Sequence, residues 1–132
     1  MTKEAVHVPV ISEALKKAKV PLSPAIKANG IVFVSGTPPL HPETGEIVRG
    51  DIVRQTEIVM ENLKTVLETA GTSFDKVVKV TIFISNSAYY ATVNEVYARY
   101  MPADDPPART FATVGSWPWE FDIEIECIAL AE

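Results

Sequence analysis

The chain is poor in the side chains that build disulfides and metal centres. Its 132 residues include one cysteine, Cys127, and two histidines, His7 and His41. A single cysteine cannot form an intramolecular disulfide, which is consistent with a reducing compartment. So few thiol and imidazole groups also argue against a multi-histidine or Cys/His metal site, and we expect no metal.

Long apolar runs and an excess of basic residues are missing as well. No uninterrupted apolar run approaches the roughly 20 residues that span a bilayer, and residues 1–10 lack the apolar core of a signal peptide. Seventeen acidic residues against twelve basic ones give a net charge of −5, which is opposite to the charge of a general nucleic-acid binder. We expect a cytoplasmic protein that binds neither membrane nor nucleic acid.

Proline is absent between Glu43 and Met101, although the chain has ten prolines. The long regular elements should therefore lie in that interval. Apolar spacing, with Asp51 as helix cap and Gly71 after the helix end, predicts one helix over 52–70 and a second over 87–100. Predicted strands cover 5–10, 25–28, 31–35, 77–85, 109–114 and 122–130, with a tight turn at 29–30, a short segment at 46–48 and a brief helical turn at 12–19.

This order of elements predicts one domain over residues 1–132, an α+β sandwich with both helices on one face of a sheet. Alternation in strand 77–85 predicts that Val78, Val80, Ile82 and Ile84 share one face. Val77, Phe83, Ile31 and Phe33 would then point to the face that the helices leave uncovered. An apolar sheet face of that size needs a partner, so we predict a homo-oligomer.

Three charged residues are candidates for a functional site. Arg109 starts a strand among small and apolar residues, and its planar guanidinium suits a carboxylate held by two hydrogen bonds. Glu124 and Glu126 alternate with apolar residues and share one strand face. A carboxylate beside a cation could orient water. The alternatives are a structural salt bridge from Arg109 to Glu124 or Glu126, and a solvated acidic strand face.

Several segments taken together resemble the reactive-intermediate deaminase (Rid, or YjgF-like) family. The resemblance covers about residues 21–131 with matching spacing, and residues 1–20 form a divergent N-terminal extension or insertion. The segments are Phe33-Val34-Ser35-Gly36-Thr37, Thr44-Gly45, Gln55-Thr56, Glu61-Asn62-Leu63-Lys64, Val93-Asn94-Glu95-Val96-Tyr97, Pro107-Ala108-Arg109 and Ile123-Glu124-Ile125-Glu126.

The resemblance implies a chorismate-mutase-like homotrimer, built on one mixed sheet, with sites at the subunit interfaces. Members that retain the arginine hydrolyse 2-enamine and 2-imine acids to 2-keto acids and ammonia, without metal or cofactor. By position, Arg109 would hold the substrate carboxylate and Glu124 would orient the attacking water. Ser35 and Gly36 would shape the pocket floor, and Asn94 would lie near it.

Two positions depart from the family pattern. Leu22 stands where many deaminating members have a tyrosine, and Phe111 stands where they often have a cysteine. Because residues 109 and 111 share a strand face, Phe111 should lie beside the bound carboxylate. Either the pocket accepts a bulkier imine, such as an aminomuconate-like intermediate of aromatic catabolism, or deamination is weakened and the protein is a non-catalytic binder of small carboxylic acids.

Two further questions stay open at this level. Trp117 and Trp119 could line the pocket, or they could fill the core or the subunit interface. Ribonuclease activity, also attributed to the family, is the least favoured function because the chain is acidic.

Overall fold

The computed structural model describes residues 2–131 as three α-helices and six strands. In chain order these are β1 (Lys3–Val6), α1 (Ile11–Lys17), β2 (Ala25–Ala28), β3 (Ile31–Thr37), α2 (Ile52–Thr69), β4 (Val77–Ile84), α3 (Tyr90–Ala98), β5 (Ala108–Thr113) and β6 (Ile123–Leu130). Short 3₁₀ turns at Phe74–Lys76 and Ser87–Tyr89 precede β4 and α3. In residues 2–131, every helix is too short or too polar to cross a membrane.

The strands form one mixed sheet in the order β1-β2-β3-β6-β4-β5. All neighbours are antiparallel except β4 and β5, which are parallel and joined through α3. The last strand of the chain therefore lies inside the sheet, between β3 and β4. The predicted α+β class with a mixed sheet is confirmed.

The core lies between one sheet face and the helices α2 and α3. Strand β6 alternates strictly, so that Ile123, Ile125, Cys127 and Ala129 are buried on the core face. The facing helix residues come from the apolar stripe of α2 and from one side of α3: Val59, Met60, Leu63, Val66, Leu67, Val93 and Tyr97.

Local sequence signals explain where the main elements begin and end. The Asp51 carboxylate accepts a hydrogen bond from the Arg54 amide at 2.8 Å and caps α2, and Gly71 follows the helix with a φ of 89°. At the hairpin between β2 and β3, Asn29 and Gly30 have φ angles of 52° and 77°. These positive angles match the twist of a two-residue turn between antiparallel strands.

The prediction of two helices was wrong by one. Residues 11–17 form a helix of their own, where only a brief helical turn was predicted. The Glu13 side chain accepts a hydrogen bond from the Val10 amide at 2.8 Å, which closes the first turn. Ile11 anchors this helix in the core.

Val77 and Val78 exchange the faces that strict alternation assigned to them. Val77 is buried, whereas Val78 is 45% exposed. The register between β4 and β6 shifts between Val77 and Lys79. This irregularity reverses the alternation at the start of the strand, while Val80, Ile82 and Ile84 remain on the core face as predicted.

The first strand ends earlier than predicted. It covers Lys3–Val6 rather than residues 5–10. Pro9 has no N–H to donate, and Val10 adopts a φ of 71°, outside the extended range of a strand. The segment at 46–48 contributes only an isolated bridge between Leu40 and Ile47.

A buried polar network ties α2 to the start of β6. The Gln55 side-chain amide donates to the Gly50 carbonyl at 2.9 Å and to the Asp122 carboxylate at 3.0 Å, and it accepts from the Asp122 amide at 2.8 Å. The Ser85 hydroxyl donates to the second Asp122 oxygen at 2.7 Å. These bonds fix the point at which β6 enters the sheet.

Replacing Gln55 by leucine keeps the side-chain volume and removes all three of its hydrogen bonds. We expect Gln55→Leu to lower the free energy of unfolding by about 2 kcal/mol, because the Gly50 carbonyl and Asp122 amide lose their buried partner. Urea denaturation at fixed protein concentration measures this change. Lys64→Ala, an exposed change in the same helix, should stay within about 0.5 kcal/mol of the parent. Equal stability of both variants would contradict the assigned role.

Candidate active site

Arg109 lies on the second position of β5 and points toward α3. Its partner on β4 is Val80, a core residue, so its side chain leaves the sheet on the helix face. There Nη1 donates to the Asn94 Oδ1 at 2.8 Å and Nη2 donates to the Tyr90 hydroxyl at 3.2 Å. Both partners belong to α3, and this helix therefore fixes the direction of the guanidinium.

Three aromatic rings surround the Arg109 guanidinium. Its central carbon lies 5.1 Å from the ring centre of Tyr97, 5.3 Å from that of Phe111 and 6.0 Å from that of Tyr90. The prediction that residues 109 and 111 share a strand face is confirmed. Ring faces attract a cation and exclude water around it. We call Arg109, Asn94, Tyr90, Tyr97 and Phe111 the arginine cluster.

The arginine cluster contains no carboxylate. Among residues 2–131, the arginine ion pairs are those of Arg49 with Glu120 and of Arg99 with Glu57 and Glu95. The alternative of a salt bridge from Arg109 to Glu124 or Glu126 is therefore wrong. A guanidinium carries five N–H donors, and two are used here. The remainder can bind an anion supplied from outside this chain.

Glu124 lies apart from the arginine cluster, on the opposite face of the sheet. Its partner on β4 is Phe83, three residues from the Arg109 partner Val80, and successive residues of a strand alternate between faces. The carboxylate borders an apolar cavity of about 180 Å³. We call this space the glutamate cavity; its lining includes Leu15, Leu22, Gly36, Ile47, Trp119 and Phe121.

Burial raises the pKa of the Glu124 carboxyl above its ordinary value of 4.5. The Trp117 side chain acts in the opposite direction by hydrogen bonding, and the nearby Glu126 charge adds to the rise. Burial thus favours the neutral form of this carboxyl more than open solvent does.

Gly36 makes room for this carboxylate. A Cβ atom at position 36 would lie 2.5 Å from the Glu124 Oε1 and 2.8 Å from its Cδ. No real side chain tolerates such distances, so the close approach requires glycine. Gly36 therefore shapes the cavity floor, because the Glu124 carboxylate occupies the space that a side chain at position 36 would fill.

Leu22 lines both the glutamate cavity and a larger groove beside it, and Ser35 lines the groove. That groove, about 630 Å³, is lined by both residues and also by Lys3, His7 and Lys16. The Ser35 hydroxyl donates to the Ser23 carbonyl at 2.6 Å. This bond holds the Leu22 segment against β3.

The structure thus divides the predicted site residues into two groups. Arg109, Asn94 and Phe111 meet in the arginine cluster. Glu124, Gly36, Leu22 and Ser35 meet around the glutamate cavity and its adjoining groove. Because the sheet separates the groups, one chain does not bring Arg109 and Glu124 together.

Sequence reasoning missed two residues of the arginine cluster. Neither Tyr90 nor Tyr97 was predicted to belong to a site, yet both contact Arg109, and Tyr97 packs in the core as well. Their spacing with Asn94, at i, i+4 and i+7, places all three on one helix face, and that pattern could have identified them. Trp119, whose role was open, lines the glutamate cavity.

Other chemistry has little support in residues 2–131. No three histidine, cysteine, aspartate or glutamate side chains in this range are placed to hold a metal ion. Cys127 is buried in the core, and burial together with the Glu126 charge raises its pKa to about 12. The thiol is therefore protonated at neutral pH and is not an activated nucleophile.

The chain is a small α+β protein with one mixed sheet, a cationic cluster on one sheet face and a carboxylate beside an apolar cavity on the other. The family model described as endoribonuclease L-PSP matches residues 12–131. The chain is 45% identical over 120 residues to the chloroplastic Reactive Intermediate Deaminase A of Arabidopsis thaliana, covering 91% of this chain and 64% of that one.

Solved structures agree with this relationship. The Rid-family protein YyfA of Yersinia pestis, itself described as of unknown function, has a TM-score of 0.89 at 40% identity, over 98% of this chain and 99% of that one. TdcF of E. coli, solved with bound serine, has a TM-score of 0.76 at 33% identity, over 83% and 87% of the two chains. The chain belongs to the Rid/YjgF family.

The contact between Gly36 and Glu124 gives a direct test of the glutamate cavity. Gly36→Ala should displace the Glu124 carboxylate while changing the free energy of unfolding by less than about 1 kcal/mol, because the atoms in the way are the end of a flexible side chain. Crystal structures and urea denaturation measure the two effects.

Gly115→Ala is the matched control, since a Cβ at that position meets nothing within 4 Å. An unmoved Glu124 carboxylate in Gly36→Ala would show that the cavity floor is placed differently.

Proposed function

We propose that the protein is a cofactor-free hydrolytic deaminase of 2-enamine and 2-imine acids resembling 2-aminoacrylate. The products are a 2-keto acid and ammonia, as in a 2-iminobutanoate/2-iminopropanoate deaminase. The observation that carries the proposal is the Arg109 guanidinium, which Asn94 and Tyr90 hold among aromatic rings and which has no carboxylate partner among residues 2–131. A bound 2-imino acid would supply that carboxylate.

The reaction needs little from the protein beyond positioning. The enamine first tautomerises to the imine, whose protonated form is a strong electrophile at C2. Water adds its oxygen to C2 of the protonated imine while Glu124 accepts one of its protons, which gives a neutral carbinolamine. Glu124 returns that proton to nitrogen, ammonia leaves with the electrons of the C–N bond, and the C2 hydroxyl passes its remaining proton to the Glu124 carboxylate. Carbon 2 becomes a carbonyl. Binding the carboxylate and placing one water lower the barrier by orientation alone.

The two separated groups of site residues support a site shared between copies of the chain. Arg109 and Glu124 leave opposite faces of one sheet, so a site that uses both takes one from each of two subunits. The sheet face away from the helices bears exposed Phe33, Val78 and Leu130, an apolar surface that a second copy would cover. A closed ring of three chains satisfies both requirements.

A bulkier dicarboxylic imine, of the aminomuconate type, is the second candidate substrate. The groove beside Ser35 and Leu22 carries Lys3, His7 and Lys16, and these basic groups would favour a second carboxylate. RNA is the less favoured substrate despite the description of the matching family model, because acidic residues outnumber basic ones by seventeen to twelve.

Removal of the arginine side chain tests the proposed activity. A threonine dehydratase supplies the 2-imino acid, and the early rate of 2-keto acid formation is followed with and without the protein. We expect Arg109→Ala to lose about 100-fold or more of the acceleration, because the cationic donor of the substrate carboxylate disappears. Unchanged turnover would contradict the assignment.

Arg99→Ala is the matched control, since Arg99 is an exposed arginine that pairs with Glu57 and Glu95. Ligand binding without turnover by the parent protein would favour the carboxylate binder instead. Comparing a monocarboxylic with a dicarboxylic imine in the same assay separates the two candidate substrates.

Mixing two inactive variants tests the shared site. The Arg109→Ala and Glu124→Gln variants are unfolded and refolded together in equal amounts. We expect the mixture to recover roughly a quarter of the parent rate. With random assembly, one interface in four combines an intact Arg109 from one subunit with an intact Glu124 from its neighbour. Light scattering should give a mass three times that of one chain. No recovery from mixed trimers, or a monomeric mass at micromolar concentration, would refute the shared site.

A further inference from the structure

The Tyr90 hydroxyl is the part of the arginine cluster that the proposed reaction leaves unused. Tyr90 opens α3 and is 46% exposed. Its hydroxyl oxygen accepts a hydrogen bond from the Arg109 Nη2 at 3.2 Å, and this is its one hydrogen bond within residues 2–131. A phenolic hydroxyl both accepts and donates. The Tyr90 proton is therefore available to a ligand.

The ring of Tyr90 is held in place by its neighbour on β5. Its centre lies 4.5 Å from that of Phe111, with the planes inclined at 49°. Aromatic pairs at this separation are attractive and restrict rotation of both rings. Phe111 thus positions the hydroxyl beside the guanidinium, even though it has no polar atom of its own.

Tyr97 makes a different contribution. It is 6% exposed, and its ring centre is nearer to the guanidinium than that of Tyr90. Burial raises the pKa of its hydroxyl. Tyr97 therefore supports Arg109 with its ring, whereas Tyr90 presents an exposed donor.

We propose that the Tyr90 hydroxyl is a second donor to the substrate carboxylate, acting together with Arg109. One carboxylate oxygen would accept from the guanidinium and the other from the phenol. Because the phenol oxygen already accepts a bond from a cation, its own O–H is polarised and donates more strongly. The inference rests on the proposed function, and it adds a specificity-determining residue for ligands that carry a carboxylate.

Removal of this one hydroxyl tests the proposal. Tyr90→Phe keeps the ring on Phe111 and removes the donor, so we expect KM for the dehydratase-generated imine to rise about tenfold with kcat within twofold, as for the loss of one hydrogen bond to a charged group. Tyr89→Phe makes the same change at the preceding, partly buried position and should leave both constants unchanged. Circular dichroism and thermal unfolding establish that both variants fold.

Binding of 2-ketobutyrate, measured by isothermal titration calorimetry, separates failure of this inference from failure of the proposed function. We expect Kd to rise about tenfold in Tyr90→Phe and to be unchanged in Tyr89→Phe. If the parent binds through Arg109 but does not turn over, the deaminase proposal fails and the Tyr90 titration still decides the role of the hydroxyl.

Two results would overturn the inference while leaving the deaminase proposal intact. One is a Tyr90→Phe variant with the parent's affinity for 2-ketobutyrate and the parent's KM, measured alongside an Arg109→Ala variant that neither binds 2-ketobutyrate nor turns over the imine. The other is a fall in kcat at constant KM, which would place the hydroxyl in the chemical step. If the parent protein has no affinity for 2-ketobutyrate, the proposal that Arg109 and Tyr90 together bind a carboxylate is refuted.

Discussion

The alternation of β6 between β3 and β4 is the constraint on which the rest of the molecule depends. Ile123, Ile125, Cys127 and Ala129 fill the core face of this strand. With those positions fixed, the intervening glutamates must leave the sheet on the other side. A slip of one residue would exchange the faces and bury both carboxylates in the core. The register of β6 thus determines both the packing of the core and the position of Glu124.

The same sheet keeps the two halves of the proposed site rigid and apart. Arg109 stands on an outer strand and is aimed by two side chains of α3. Glu124 stands on an inner strand, and its space is set by Gly36. Neither group depends on a long flexible loop for its direction. Such a chain has little need to reorganise its charged groups when a ligand arrives.

Much of the fold was predictable because its signals are local. The cap at Asp51, the turn at Asn29-Gly30 and the stripe of α2 each depend on a few neighbouring residues. The exchange between Val77 and Val78 was not predictable, since it depends on the register with β6. The extent of α1 depends on a side-chain cap at Val10 and on anchoring of Ile11 in the core.

The candidate site was predictable only in part, for a related reason. Arg109 was identified by its type and surroundings, Asn94 through the family resemblance and Phe111 as a departure from the family pattern. The three residues lie together in the structure. Tyr90 shares a helix face with Asn94, but this spacing points to a contact with Arg109 only once the packing of α3 against β5 is known. That Arg109 and Glu124 lie on opposite faces follows from a strand order that residue spacing does not reveal.

The close approach at Gly36 also provides a criterion for sorting related sequences. Any side chain at this position would compete with the Glu124 carboxylate for the same volume. A chain that keeps the glutamate and replaces the glycine must therefore hold its carboxylate elsewhere, however well its other motifs match. An inference of shared function between two such sequences should therefore require this glycine as well as the charged residues.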